Sequence, residues 1–287
     1  MKSLVFLGLI LSTLGALAAP GGLYSAVTQR PIALDQALSE VRPGTVVIIG
    51  ENHGLTTHQT QQVVILRSLD YIGYPVSVGM EFFSFPDQDY VDQYRAGTLS
   101  EPDFLKDINW GAPDFSYYRA QTLYPDARHG AATVALNAPR TLTSKVAKTG
   151  LDSLTPGELA LLPPNFQVGN VAYKTRFAET VPHNLPPDAL ERYFTAQSIW
   201  DDTMAYHAKL FLDQHPEQIL VIVVGEFHVQ YGGGLPDRLR ARGVRSIVTF
   251  SQIDTRSLQD SDLTQILQPS PRDGYRADFL WLAPAEE

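Results

Sequence analysis

The sequence predicts an α/β protein: a mostly parallel sheet with helices on both faces and a helical, aromatic-rich insertion acting as a lid. Three observations carry that prediction. Short apolar runs rich in β-branched residues, at 45–49 and 220–224, have the composition of strands buried on both faces. Stretches with helical spacing alternate with such runs along most of the chain, as they do in doubly wound sheets. Each run then stops at a polar cluster, which places chemically capable side chains at one edge of the sheet, where open α/β sheets bind ligands.

The elements follow in order. A short helix over 34–41 precedes the strand 45–49, which delivers Glu51 and His53. Thr56 or Thr57 can cap the next helix, which runs to about Tyr71 with Val63, Ile65, Leu66 and Leu69 as apolar positions and Gly73 as its stop. The strand 76–80 ends at Glu81. Residues 85–128 hold Tyr90, Tyr94, Phe104, Trp110, Phe115, Tyr117, Tyr118 and Tyr124, and they are too long for a simple βα connection. They are expected to form a mainly helical insertion over the site. The strand 133–136 ends at Asn137-Ala138-Pro139-Arg140. A proline-broken excursion over 151–187 is too rich in Leu, Phe and Tyr to be disordered, and forms a second insertion. The longest helix spans 188–213, with Leu190, Phe194, Met204 and Phe211 inward and Gln197 and Asp201 on one face. The strand 220–224 brings Glu226 and His228. After Gly232-Gly233-Gly234 and an Arg-rich helix, the strand 245–250 completes the sheet, and the polar tail from Gln252 is an edge extension.

Composition narrows the function. With 287 residues and 44% hydrophobic content, the chain suits one large domain over 20–287. A net charge of −9 without a basic run argues against nucleic acid. Residues 1–19 have the pattern of a secretory signal peptide: Lys2, an apolar core over 4–14, and Ala16-Leu17-Ala18 before the expected cleavage. The mature chain has no stretch long and apolar enough to span a membrane. The absence of cysteine excludes disulfides, thiolate metal sites and a lipid-modified cysteine at the cleavage point. The expected product is a soluble periplasmic or extracellular protein.

The candidate chemistry centres on a repeated pattern. Gly50-Glu51-Asn52-His53 and Gly225-Glu226-Phe227-His228 place the same Gly-Glu-x-His at the ends of two strands. His53 and His228 with Glu81 have the composition of a site for zinc, manganese or iron(II), or each His simply closes a strand end. Glu51 and Glu226 are ligands, orienters of the imidazoles, a general base on metal-bound water, or carboxylates at helix N-termini. Gln197 and Asp201 reach toward the same edge or cap and coat the helix. Asn137 and Arg140 suit an anionic group such as a propionate, or a salt bridge to the insertion. The tyrosines and tryptophans of the insertion form a core of their own or a wall for a flat apolar ligand, and a tyrosine hydroxyl can be an axial haem ligand. Gly232-Gly233-Gly234 lacks the spacing of a dinucleotide fingerprint.

In sequence order, Gly50-Glu51-Asn52-His53, Glu81-Phe82-Phe83, Asn137-Ala138-Pro139-Arg140, Gln197-x-x-Trp200-Asp201-Asp202-x-Met204-Ala205 and Gly225-Glu226-Phe227-His228 resemble the ChaN-like proteins of the Tiki superfamily. The resemblance runs from about Val46 to Arg240. It implies an exported haem-binding protein of haem or iron acquisition, not an enzyme, with iron coordinated by a tyrosine. It also implies a possible homodimer around the haem and a haem receptor or transporter as partner. The tyrosine candidates are Tyr231, then Tyr117 and Tyr118, with Arg140 beside a propionate and Asn137, Gln197 and Asp201 around the ligand. The superfamily also includes metal-dependent proteases, and that likeness implies the alternative. There His53, His228 and Glu81 would hold a divalent metal such as zinc, manganese or cobalt, with Glu51 or Glu226 as the base.

Overall fold

The computed structural model describes residues 21–283 except Ala112. The expected signal peptide therefore lies outside the described residues. The eight strands are β1 (Gly22–Ser25), β2 (Arg30–Pro31), β3 (Val46–Glu51), β4 (Val76–Ser84), β5 (Thr133–Asn137), β6 (Ile219–Gly225), β7 (Ile247–Asp254) and β8 (Phe279–Ala283). They form one sheet in the order β2-β1-β8-β7-β3-β6-β4-β5. The six strands from β8 to β5 run parallel, and β1 and β2 add an antiparallel edge.

The apolar runs of the sequence occupy the middle of the sheet because they are the strands covered on both faces. Alternation along them divides the core. Val47, Ile49, Val78, Met80, Val221 and Val223 face the helix Thr56–Tyr71, through Ile65, Leu66 and Leu69, and the insertion aromatics Phe104, Phe115 and Tyr118. Val46, Ile48, Leu220, Ile222 and Val224 face the long helix Pro187–Gln214, through Met204, Ala205, Ala208 and Phe211. The chain passes from β3 to β4 and β5, returns to β6 between β3 and β4, and then crosses to β7. Its carboxyl-terminal strand ends converge where that order reverses.

Two expectations are corrected by the architecture. The helix Thr56–Tyr71 has Leu55 at its N-cap and no side-chain cap, so neither Thr56 nor Thr57 caps it. Gly54, at φ +79°, makes the turn into that helix instead. The tail from Gln252 does more than extend an edge. It continues β7 to Asp254, forms the helix Asp260–Leu267 and supplies β8, an internal parallel strand. Ahead of the first helix, β1 pairs against β8 and β2 pairs with β1.

Candidate functional site

Two features of the backbone aim the site residues. The parallel pairing of β3 with β6 sets Glu51 against Gly225, so the repeated motifs leave the sheet side by side. Between Met80 and Ser84, β4 slips register against β5, and this irregularity turns Glu81 toward β6. Asn137 fastens it by donating from Nδ2 to the Glu81 carbonyl (2.9 Å).

The two glycines of the repeat serve each other's motifs. A Cβ on Gly225 would stand 3.1 Å from both Cε1 and Nε2 of His53, and a Cβ on Gly50 would collide with Glu226 Oε2. The two glutamates, by contrast, do different things. Glu51 is buried and accepts at Oε1 from His53 Nδ1 (2.9 Å) and the Tyr118 hydroxyl (2.7 Å). Its Oε2 accepts from Gln62 (2.6 Å) and Gln59 (3.2 Å). Glu226 turns away from His228, and its Oε1 accepts from Ser251 Oγ (2.5 Å) and Arg276 Nε (2.9 Å). Burial pushes the Glu226 carboxyl up to about 7, although the Arg276 charge and the Ser251 bond pull it down.

His228 lies between two carboxylates, donating from Nδ1 to Asp201 Oδ1 (2.7 Å) and pointing Nε2 at Glu81 Oε1 (3.3 Å). Burial acts to lower its affinity for a proton, but the charges of Asp201 and Glu81 prevail and hold it up to about 10. Glu81 is held down to about 2: burial alone would raise it, but His228, His53 and the Gly225 N–H (2.5 Å) favour the carboxylate. His53 is raised as well, because its bond to Glu51 and the charges of Glu81 and Glu51 outweigh its burial. The arrangement is an imidazolium clamped by carboxylates beside a second, more open imidazole.

Asp201 is positioned by a residue that the sequence reading passed over. Tyr173, on the helix Val171–Thr180, donates to Asp201 Oδ2 (2.9 Å) and accepts from Gln197 Nε2 (3.0 Å). Gly233 and Gly234 make room for it. A Cβ on Gly234 would lie 2.9 Å from the Tyr173 hydroxyl, and one on Gly233 would lie 3.0 Å from its ring. The glycine run that resembled no nucleotide fingerprint is thus a close-packing surface.

These groups form the floor of a cleft of about 950 Å³. Ile108, Asn109, Trp110, Gly111 and Pro113 of the first insertion line it, and Thr180 from the second lies at its edge. Phe82, Trp200 and Phe227 add apolar wall, while buried Asn137 and exposed Arg140 add polar groups to the lining. Arg140 is exposed and its side chain makes no hydrogen bond or ion pair with any described residue, so the salt bridge considered for it is not formed. The cleft thus brings together Glu51, His53, Glu81, Asn137, Arg140, Gln197, Glu226 and His228, whereas Asp201 stands behind His228.

The tyrosines are placed differently. No tyrosine lines the cleft among the described residues. Tyr118 is fully buried with its hydroxyl committed to Glu51. Tyr117 flanks Gly54, and Tyr231 lies beneath the Arg176 guanidinium, 5.2 Å from its ring centre. The metal candidates converge but are not disposed as a set of ligands. No three His, Asp or Glu groups among the described residues are placed to hold a metal ion. His228 is the physical reason, since it spends both ring nitrogens on carboxylates.

A family model described as haem-binding uptake, Tiki superfamily, ChaN, matches residues 37–239. The chain belongs to this family. In fold it is similar to ChaN of Campylobacter jejuni, from a structure of cofacial haem binding, at a TM-score of 0.65 and 17% identity. That superposition covers 92% of this chain and 96% of the other. A mutant of the erythromycin esterase EreC superposes at 0.47 with 15% identity, over 90% of this chain and 81% of its own. The type III effector HopBA1 does so at 0.44 with 12% identity, over 88% and 93%. No curated protein matches the sequence. No helix among the described residues of this ChaN-family chain is long and apolar enough to cross a membrane.

Proposed function

We propose that this ChaN-family protein binds haem in the cleft and serves haem or iron acquisition as an exported carrier. The observation that supports this best is the chemistry of the cleft wall. Phe82, Trp110, Trp200 and Phe227 offer aromatic surface to a flat apolar macrocycle, while exposed Arg140 adds an unpaired fork for a carboxylate. A porphyrin needs both, because its faces are apolar and its propionates are charged. The residues present fit the group. Bound haem supplies the iron, and the chain supplies stacking surface, exclusion of water and an anchor for the propionates.

The test is a haemin titration of the mature, metal-stripped protein followed by visible absorption, with Arg140→Ala beside it. Saturation at a simple stoichiometry is expected, and Arg140→Ala should weaken affinity by roughly tenfold, the value of one charge-assisted hydrogen bond. A spectrum of free haemin without saturation overturns the proposal. The likeness to ChaN also supports a homodimer around haem and a receptor that takes the haem up. A tyrosine ligand would come from Tyr117 beside Gly54, from Tyr231 after leaving Arg176, or from a second protomer.

A second reading, a metal-dependent hydrolase, is favoured by the convergence of His53, Glu81 and His228 around Gly225. It requires His228 to give up one carboxylate and, of the two candidate bases, makes Glu51 the one in contact with His53. Metal co-purifying with wild type and lost in His53→Ala supports it, and wild type that hydrolyses no ester or peptide in added zinc, manganese or cobalt counts against it.

A further inference from the structure

Another concavity lies far from the cleft, at the amino-terminal edge of the sheet. The helix Thr56–Tyr71 leaves the cleft edge after β3, so its last turns come beside the short helix Leu34–Ala37 that precedes β3. A groove of about 500 Å³ opens between them, within the ~300–1,000 Å³ range of small-molecule sites. Leu38, Val64, Tyr71 and Ile72 are its apolar lining. Leu38 is fully buried, whereas Val64, Tyr71 and Ile72 are exposed large apolar side chains, Tyr71 at 93%. Apolar residues exposed singly need no partner, but three around one concavity mark a binding surface.

The polar groups of the groove decide what kind of molecule it suits. Ser39 Oγ donates to the Gln36 carbonyl (2.7 Å) and Ser68 Oγ to the Val64 carbonyl (2.9 Å), so neither hydroxyl proton is free. Asp35 is the single acid of the lining, and its Oδ1 accepts from the Gln36 N–H (2.9 Å). Arg42 commits only Nη1, to the carbonyls of Ser39 (2.6 Å) and Val41 (2.7 Å). Its Nε and Nη2, and the whole guanidinium of Arg67, have no hydrogen-bond or ion-pair partner among the described residues. In a chain with 31 acidic against 22 basic side chains, two unpaired guanidiniums beside an apolar groove are complementary to an anion. A peptide backbone would need donors and acceptors along its length, and the groove has none to offer it. A molecule with one anionic end and an alkyl body leaves no polar group unpaired.

We infer that this groove binds a fatty acid, its carboxylate on Arg67 and Arg42 and its alkyl chain along Leu38, Val64, Tyr71 and Ile72. Tyr71 buries almost nothing in the protein, so a chain beside it removes apolar surface from water without displacing an existing contact. The groove and the cleft share no lining residue. The inference is therefore independent of what the cleft holds.

The test is calorimetric titration of the mature full chain with dodecanoate below its micelle concentration. One equivalent should bind, and shorter fatty acids should bind more weakly, by up to about fourfold for each methylene removed. Dodecanol, which lacks the charge, and dodecyltrimethylammonium, which reverses it, should bind at least about tenfold more weakly than dodecanoate. Arg67→Ala should weaken dodecanoate by roughly tenfold. Val64→Glu sets a carboxylate in the path of the alkyl chain and should abolish binding while leaving the haemin titration as in wild type. Both side chains are exposed, so neither change disturbs a core. Prior addition of haemin to wild type should leave the dodecanoate titration unchanged. Wild type that takes up no dodecanoate, or takes up dodecanol equally well, overturns the inference. So does uptake that haemin suppresses or that survives Val64→Glu, either of which moves the fatty acid elsewhere. A response only to micelles or phospholipid vesicles marks a lipid surface instead of a single-chain site and also overturns it. The wild-type comparison of dodecanoate, dodecanol and shorter acids decides the question even if a variant fails to fold.

Discussion

Replacing Tyr173 by Phe removes one oxygen from a fully buried side chain, and the structure sets what that oxygen is worth. It donates to Asp201 Oδ2 and accepts from Gln197 Nε2. Asp201 is 1% exposed, so no solvent replaces the lost donor. The packing change is small, because phenylalanine keeps the ring stacked on Phe227 with 5.1 Å between centres. The cost is therefore that of a buried charged acceptor left short of one bond, about 2 kcal/mol. Equilibrium unfolding in urea reads it directly. With a slope of about 3 kcal/mol/M for a chain of this size, the midpoint should fall by about 0.7 M at unchanged slope. Tyr231→Phe is the control, since that side chain is half-buried and its hydroxyl has no hydrogen bond among the described residues, and it should stay within about 0.5 kcal/mol of wild type. Combining Tyr173→Phe with Asp201→Asn should cost less than the sum of the two changes. A Tyr173→Phe midpoint equal to that of wild type, or a strictly additive pair, would refute the reasoning.

Gly50→Ala should destabilise the fold by about 1–3 kcal/mol, because its Cβ displaces the Glu226 carboxylate and also meets the Glu226 Cα at 3.2 Å; calorimetry would show it as a lowered Tm. The pH dependence of stability should have two arms. Glu226, raised by burial to about 7 from an ordinary 4.5, favours the fold while it is protonated. Its contribution is full below about 4.5 and is lost as the pH rises through 7, by about 3 kcal/mol, and Glu226→Gln should remove that slope from urea midpoints. Glu81, held at about 2 against burial by His228 and His53, contributes above 4.5 and loses that contribution as the pH falls toward 2. Acid unfolding should therefore begin at higher pH when His228→Gln removes its partner.

What could be read from the sequence was local. Residues 45–49 and 220–224 are continuous apolar strands flanked by glycine, so β3, β6 and the two Gly-Glu-x-His clusters stood out without any knowledge of partners. The phenylalanines and tyrosines of 85–128 were recognisable as an insertion because no βα connection needs that length, and Phe104, Phe115 and Tyr118 do pack into the core.

What escaped depends on contacts between distant residues. Tyr173 meets Asp201 across 28 positions, Glu226 meets Arg276 across 50, and Arg176 meets Asp273 across 97. No periodicity encodes such pairs. One available signal went unused. Gln59, Gln61 and Gln62 fall on the helix Thr56–Tyr71, and all three are buried. Amides crowded into an amphipathic helix beside a Glu-x-His mark a polar network below the site, here joined by Gln121 and Gln252. The β8 strand was missed because Phe279-Leu280-Trp281-Leu282-Ala283 follows a proline- and arginine-containing loop that looks like a tail.

The most direct measurement on the haem-carrier proposal is the wild-type haemin titration with tryptophan emission and Soret absorbance recorded together. Trp110 and Trp200 line the cleft, whereas Trp281 lies in β8. Haem in the cleft should quench Trp110 and Trp200 in step with a saturating Soret change, and Trp110→Phe should remove part of the quenching while leaving saturation intact. A Soret signal that rises linearly without saturating, or saturates with the tryptophan emission unchanged, would contradict haem binding in this cleft.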